Sequence, residues 1–186
     1  MLQKTIKELP EPAQHFSSLV NGRHSIRKFK PQPIPESSID FIAKMTNRAP
    51  SAGNLQAFQV FIVSDVEIRQ RLAEASLNQD CVRQAPIVLV FCTNPLECES
   101  QYGLRGKELY SLQDATIATT YAQLAASSLG LASVWVGAFD EQAITKILCL
   151  PPELRPIALL PVGHPAENPE PTGRRDWKDV FRPLPL

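Results

Sequence analysis

Arg23, Ser25 and Arg27 stand at alternate positions in a short segment that follows a predicted helix. In an extended backbone alternate side chains point the same way, so two guanidiniums and a hydroxyl can converge. That set suits a phosphate monoester, because arginine gives bidentate, charge-assisted hydrogen bonds. His24 would then face the other way, with its backbone still open to a ligand. A second cluster follows at Pro50, Ser51, Ala52, Gly53, Asn54 and Gln56. The amides of Asn54 and Gln56 each offer a donor and an acceptor, which the polar edge of a heterocycle needs. Gly53 permits close backbone approach or a positive φ. Each cluster also has a plainer reading: a solvated basic turn for the first, a helix start capped by Ser51 for the second.

These clusters need a scaffold. The chain has 186 residues, 44% hydrophobic and 20% charged, which suits one soluble domain with one sizeable core. Lys plus Arg equals Asp plus Glu at 19 each, so no global basic field exists to hold nucleic acid. Any anion site must be local. The four cysteines, Cys81, Cys92, Cys98 and Cys149, form no Cys-x-x-Cys pair and have no histidine at ligand spacing. Neither a disulfide framework nor a metal site is expected. Cys92 and Cys149 read as small core residues. The first sixteen residues show no secretory signal, and the run Ile87 to Cys92 is too short to span a bilayer. The expected location is cytoplasmic.

Periodicity predicts helices over 13–22, 36–48, 65–75 and 108–129, with a short one capped by Asp140. Strands are predicted over 58–63, 87–92, 131–136 and 156–162, the last near an edge or a bend because of Pro161. The polar stretch 93–107, with two glycines, reads as a long mobile loop. In the long helix Leu112, Ala115, Thr119, Ala122 and Ala126 trace one face for close packing. Asp114 there suits the helix dipole and receives no catalytic role. Seventeen prolines stiffen the connectors and the tail. The order of elements gives an α+β or α/β domain with a layered sheet.

The sequence Arg-x-Ser-x-Arg, a Phe two residues on, Pro-x-Pro, a helix and then Ala-Pro-Ser-x-x-Asn-x-Gln resembles the opening of the nitroreductase family. Leu131 to Gly137, the turn Pro161 to Pro165 and the pair Arg174–Arg175 resemble later family segments. The resemblance runs from about residue 17 to 180. It implies an α+β, three-layer α/β/α sandwich with a mostly antiparallel central sheet, as an obligate homodimer with flavin mononucleotide (FMN) at the interface. It implies one domain over 1–186, with 165–186 as an extended tail. Arg23, His24, Ser25 and Arg27 would bind the phosphate, the ribityl chain and the N1–O2 side of the ring, with Arg27 stabilising the reduced ring. Pro50, Ser51, Ala52, Asn54 and Gln56 would approach the same flavin from the other subunit. Val136 and Gly137 would bring backbone groups to the N5 edge, and Arg174 or Arg175 would complete the phosphate site.

The implied activity is hydride transfer from NADH or NADPH to a nitroaromatic, quinone or related acceptor, in ping-pong turnover at the flavin. No side-chain acid or base is required, and no triad or paired-carboxylate signature is present. Ala57 and Phe58 stand where the family often has Pro and Trp. Arg105 and Lys107 could meet a nicotinamide phosphate, although a solvated loop is the plainer reading. Trp135 and Phe139 read as core, and His164 as structural. The alternatives are a flavin-fragmenting or dehalogenating relative, a non-catalytic flavin carrier, and a dimerisation domain without ligand.

Overall fold

A computed structural model of the chain describes residues 9–184. The outermost residues of the expected single domain, 1–8 and 185–186, lie outside the described residues. So does the first half of the sixteen-residue stretch expected to carry no secretory signal.

The sheet is built on the most apolar run of the sequence. Strand β2 (Ile87–Thr93) is buried at every position. It pairs antiparallel with β1 (Phe58–Val63) on one side and β4 (Arg155–Gly163) on the other. A short β3 (Ala132–Ser133) completes the order β1-β2-β4-β3. Every ladder among the described residues is antiparallel.

Because side chains alternate along a strand, β2 feeds two cores. Val88, Val90 and Cys92 face one layer, with Leu72, Val82, Ile144, Leu154 and Leu159. These come from α3 (Val66–Ala75), α4 (Asp80–Gln84), α7 (Glu141–Ile147), the segment before β4 and β4 itself. Ile87, Leu89 and Phe91 face the other, with Ile42, Ala118, Ala122, Ala126 and Leu160. That layer holds α2 (Glu36–Thr46) and the long α6 (Ser111–Ser128). The result is the α/β/α sandwich. Asp65 caps α3 and Asp140 caps α7, both by accepting backbone N–H groups. The buried Arg69 guanidinium donates to the carbonyls of Ser64, Arg83 and Ala85, tying α3 to the end of α4.

Three expectations are corrected. The stretch 93–107 is not a loop: α5 spans Pro95–Arg105 with a sharp kink at Gly103 (φ +57°), and a π-helical turn, Gly106–Tyr110, then leads into α6. Pro95 in the first turn, Glu97 beside it and Arg105 in the last turn are helix signals. They were masked because the apolar residues of α5 are few and Leu96 and Leu104 are exposed. A β-carbon on Gly106 would lie 2.3 Å from the Cys98 carbonyl oxygen, so this turn closes only on glycine.

The strand expected over 131–136 breaks after Ser133 and survives beyond it only as a bridge between Val136 and Leu159. Leu159 gives both its N–H and its carbonyl to Val136. By alternation Pro161 turns the same way, and it has no N–H to donate. Pro161 thus sits in an inner strand, opposite the gap that its own missing donor leaves. Cys149 is exposed with φ +50°, rather than a core residue; Cys92 is fully buried.

The first helix, α1 (Glu11–Gly22), buries no residue completely. Phe16 and Val20 on it are 61% and 43% exposed. After β4 the tail carries only a four-residue helix, α8 (Trp177–Val180). No helix among the described residues is long and apolar enough to cross a membrane. No group of three or more His, Cys, Asp or Glu among them could hold a metal ion.

Candidate functional site

The Arg23–Arg27 segment leaves α1 in extended form and is pinned on both sides. Ser25 bridges to Ser133 of β3. The N–H groups of Arg27 and Lys28 donate to one carboxylate oxygen of Glu167, at 2.6 and 3.2 Å. Lys30 donates its N–H to the carbonyl of His164, and Ala166 donates to that of Lys28. The stretch 164–167 after β4 therefore holds the segment in place; His164 takes part through its backbone carbonyl, and its ring Nε2 is buried without a hydrogen-bond partner.

A groove of about 1040 Å³ opens beside this segment. It lies at the upper end of the ~300–1,000 Å³ typical of small-molecule sites. Arg23 and Lys30 give it positive charge, His24 a further polar group and Glu167 a carboxylate; Phe16, Leu19, Ile26 and Leu131 give it apolar wall. The groove does not take all three alternate residues into its lining. Arg23 and His24 both line the groove, while Ser25 and Arg27 do not. Arg174 and Arg175 are exposed and do not line the groove either. Arg174 donates instead to its neighbours Thr172 and Gly173.

The second cluster forms a tight arch. Ala52–Asn54 makes a single 3₁₀ turn, and Gly53, Asn54 and Gln56 all have positive φ, at 57°, 57° and 45°. Ser51 does not cap a helix. Its Oγ accepts the N–H of Gln56 across the arch, at 3.0 Å. The Gln56 amide folds back to donate to the carbonyl of Asn54. Left-handed backbone in non-glycine residues is costly and collects at functional sites.

Asp114 holds the arch from beneath. This residue was assigned only to the helix dipole, yet its carboxylate accepts the N–H of Ala52 at 3.0 Å and that of Ala57 at 3.3 Å. It does not sit at a free helix start, because the π-helical turn precedes α6. Its isolated charge on the buried face of a helix was the available signal. Pro50, Ser51 and Ala52 line a second cavity of about 660 Å³ with Tyr110, Leu112, Asp114 and Ile117. Leu112 faces this cavity rather than the core face expected for it; Ala115, Thr119, Ala122 and Ala126 do lie in the core.

Arg105 and Lys107 are occupied. Arg105 donates from Nε to the Tyr110 hydroxyl at 3.0 Å, and Lys107 pairs with Glu99 at 3.1 Å. Trp135 and Phe139 pack on the two cores. Val136 spends both backbone groups on Leu159, whereas Gly137 is exposed.

Within one chain the two clusters are not brought together. The cationic groove includes Ser127 and Ser128 at the end of α6, and the arch sits over Asp114 at its start. Fourteen residues of helix separate those ends, roughly 20 Å at 1.5 Å per residue. The outward face of α6 carries Leu112 just before Asp114 and Tyr121 between the two ends, each 37% exposed.

The chain is a three-layer α+β sandwich with a groove lined by Arg23 and Lys30 and an amide-rich arch towards opposite ends of one helix. Residues 20–79 and 76–164 match the nitroreductase family, and the chain belongs to it. An FMN reductase [NAD(P)H] of Bacillus subtilis is 32% identical over 167 residues, covering 82% of this chain and 66% of the relative. An NADH dehydrogenase of Thermus thermophilus is 29% identical over 179 residues, covering 82% and 87%. The solved NADPH:FMN oxidoreductase of Vibrio harveyi, complexed with NAD+, superposes with a TM-score of 0.84 at 27% identity, covering 91% of this chain and 77% of that one.

Proposed function

We propose that the chain is an NAD(P)H-dependent oxidoreductase that holds FMN between two copies of itself and reduces quinone, nitroaromatic or related acceptors by a ping-pong cycle. The observation that carries this reading is the separation of the two donor clusters along α6. An isologous pair that sets two α6 helices antiparallel brings the arch of one copy to the groove of the other. Such a pairing also covers the exposed apolar side chains of α1 and α6.

The donor set fits the cofactor. Arg23 and Lys30, with His24 beside them, offer a phosphate group cationic donors at the mouth of the groove. Ser133 keeps a buried hydroxyl with no hydrogen-bond partner, next to the Ser25 bridge. By the family resemblance, Ser25 and Arg27 contribute from beside the groove and Arg174 or Arg175 completes the phosphate site. Pro50, Ser51, Ala52, Asn54 and Gln56 of the second copy supply amide and backbone groups to the ring edge. Gly137, exposed beside Val136, leaves the N5 side open.

Bound FMN would supply the hydride chemistry between NADH or NADPH and the acceptor. The chain's part is to bind, orient and stabilise charge. Cationic groups of the Arg23–Lys30 segment stabilise negative charge on the ligand, at N1 and O2 as well as at the phosphate. FMN and NAD(P)H in the relatives' names support the cofactor and the donor. One domain in a cytoplasmic setting belongs to the same reading.

The test is an absorbance spectrum of purified protein with FMN, followed by anaerobic NADH or NADPH, with sedimentation for mass. A dimer whose bound flavin bleaches supports the reading. Flavin that stays oxidised with both nucleotides points to a carrier, and protein that binds no flavin sinks the reading.

A further inference from the structure

Asp114 is only 2% exposed, yet the structure gives it no cationic partner among the described residues. A buried carboxylate without such a partner is costly unless hydrogen bonds replace its water. Here they do, in an unusual division. Oδ1 accepts the N–H of Ala52 and Oδ2 accepts that of Ala57, so the two oxygens grip the two ends of one six-residue arch. The Cys98 thiol approaches Oδ2 at 3.9 Å from α5. Between the gripped ends lie Gly53, Asn54 and Gln56, all in the left-handed region.

The rest of the buried face of α6 is mostly alanine, Ala115, Ala118, Ala122, Ala125 and Ala126, with the uncharged Ser111, Thr119 and Gln123. An apolar residue at 114 would pack there at no desolvation cost, but it would leave the N–H groups of Ala52 and Ala57 without that acceptor. The carboxylate thus serves the arch rather than the core. An ionised carboxylate suits the task because it accepts at both oxygens and donates at neither.

We propose that Asp114 is a positioning residue for the ligand-facing arch. It staples Ala52 and Ala57 so that Asn54 and Gln56 hold their left-handed backbone and present their amides before the ligand arrives. This rests on the reading of Pro50–Gln56 as the flavin-edge segment. Although Asp114 borders the cavity beside the arch, both its carboxylate oxygens are spent on backbone N–H groups, so it acts through the loop.

Asp114→Asn is the informative variant, because it keeps the shape but turns an NH2 toward one of the two N–H groups. Leu72→Ala, in the opposite core, serves as a stability control. The readouts are amide hydrogen exchange at Ala52 and Ala57 in flavin-free protein, melting temperature, and FMN affinity from flavin fluorescence. The expected result for Asp114→Asn is at least tenfold faster exchange at one or both amides and at least tenfold weaker FMN binding. Leu72→Ala should leave FMN affinity within twofold despite an equal or larger loss in melting temperature. The proposal is overturned if wild-type protein binds FMN and Asp114→Asn binds it equally, or if Leu72→Ala weakens binding as much. Should the Asn variant not fold, rapid exchange of both amides in wild-type protein overturns it directly. Wild-type protein that binds no FMN overturns the flavin reading itself, whatever the exchange rates.

Discussion

The hydroxyl of Tyr102 stands 2.5 Å from the point where a β-carbon on Gly53 would lie. The helix that replaces the expected loop therefore presses directly on the crown of the arch. Gly53 is constrained twice, by its positive φ and by this neighbour. Gly53→Ala should cost about 1–2 kcal/mol from the backbone alone, and FMN affinity should fall with it. Adding Tyr102→Phe should restore part of the affinity, because it removes the obstructing oxygen while the backbone penalty stays. Equal affinities for the single and double variants would show that the contact does not shape the arch.

Arg23 lines the cationic groove beside His24 and is half-buried at the end of α1. Removing a charged donor to a phosphate costs about 1.5–3 kcal/mol. Arg23→Ala should therefore raise the dissociation constant for FMN about tenfold or more, with little change in melting temperature. Fluorescence titration checks this, and unchanged affinity would remove Arg23 from the phosphate site.

Glu141 and Arg155 form a two-pronged pair, with both N–O distances at 2.8 Å. The hydrogen bonds from Arg155 hold the Glu141 carboxyl below its ordinary value. The folded state thus binds this proton less readily than the unfolded chain. The stabilisation is fully present above the ordinary glutamate range and fades as pH falls through the lowered folded value. Both side chains are well exposed, so the effect should stay below about 1 kcal/mol. Glu141→Gln should narrow the gap in melting temperature between pH 7 and pH 3. An identical gap in the variant would show that the pair contributes nothing.

Three thiols are buried and one is not. Burial pushes Cys92 up to about 12, and burial also raises Cys81 and Cys98. A thiol reagent at pH 8 should label Cys149 rapidly in native protein and the others only on unfolding. Mass mapping of the labelled peptides decides it; rapid labelling at Cys92 would contradict the buried β2.

The sequence made the sheet legible wherever a strand carried its own evidence. Phe58–Val63 matches its predicted span, and β2 and β4 do so within a residue. The failures have physical causes. The periodicity of 131–136 is that of a strand, but the partner residue that interrupts it, Pro161, lies about thirty positions away. The helix α5 hides behind its polar surface, anchored by the buried Cys98 and Gly106. At the site, Arg23, Asn54 and Gln56 stood out because their side chains are chemically rich. Asp114 and Glu167 did not, because their role is to hold backbone N–H groups far off in the chain, and no local pattern records that.

The placement of the two clusters at opposite ends of α6 reaches into genetics. If each pocket takes its cationic half from one polypeptide and its arch from the other, two defective alleles can repair one another. A chain damaged at Arg23 and a chain damaged at Asn54 are each inactive with copies of themselves. Co-expressed, they assemble mixed pairs in which one pocket inherits both lesions and the other inherits none. Partial activity then returns from two null alleles, with no recombination between them.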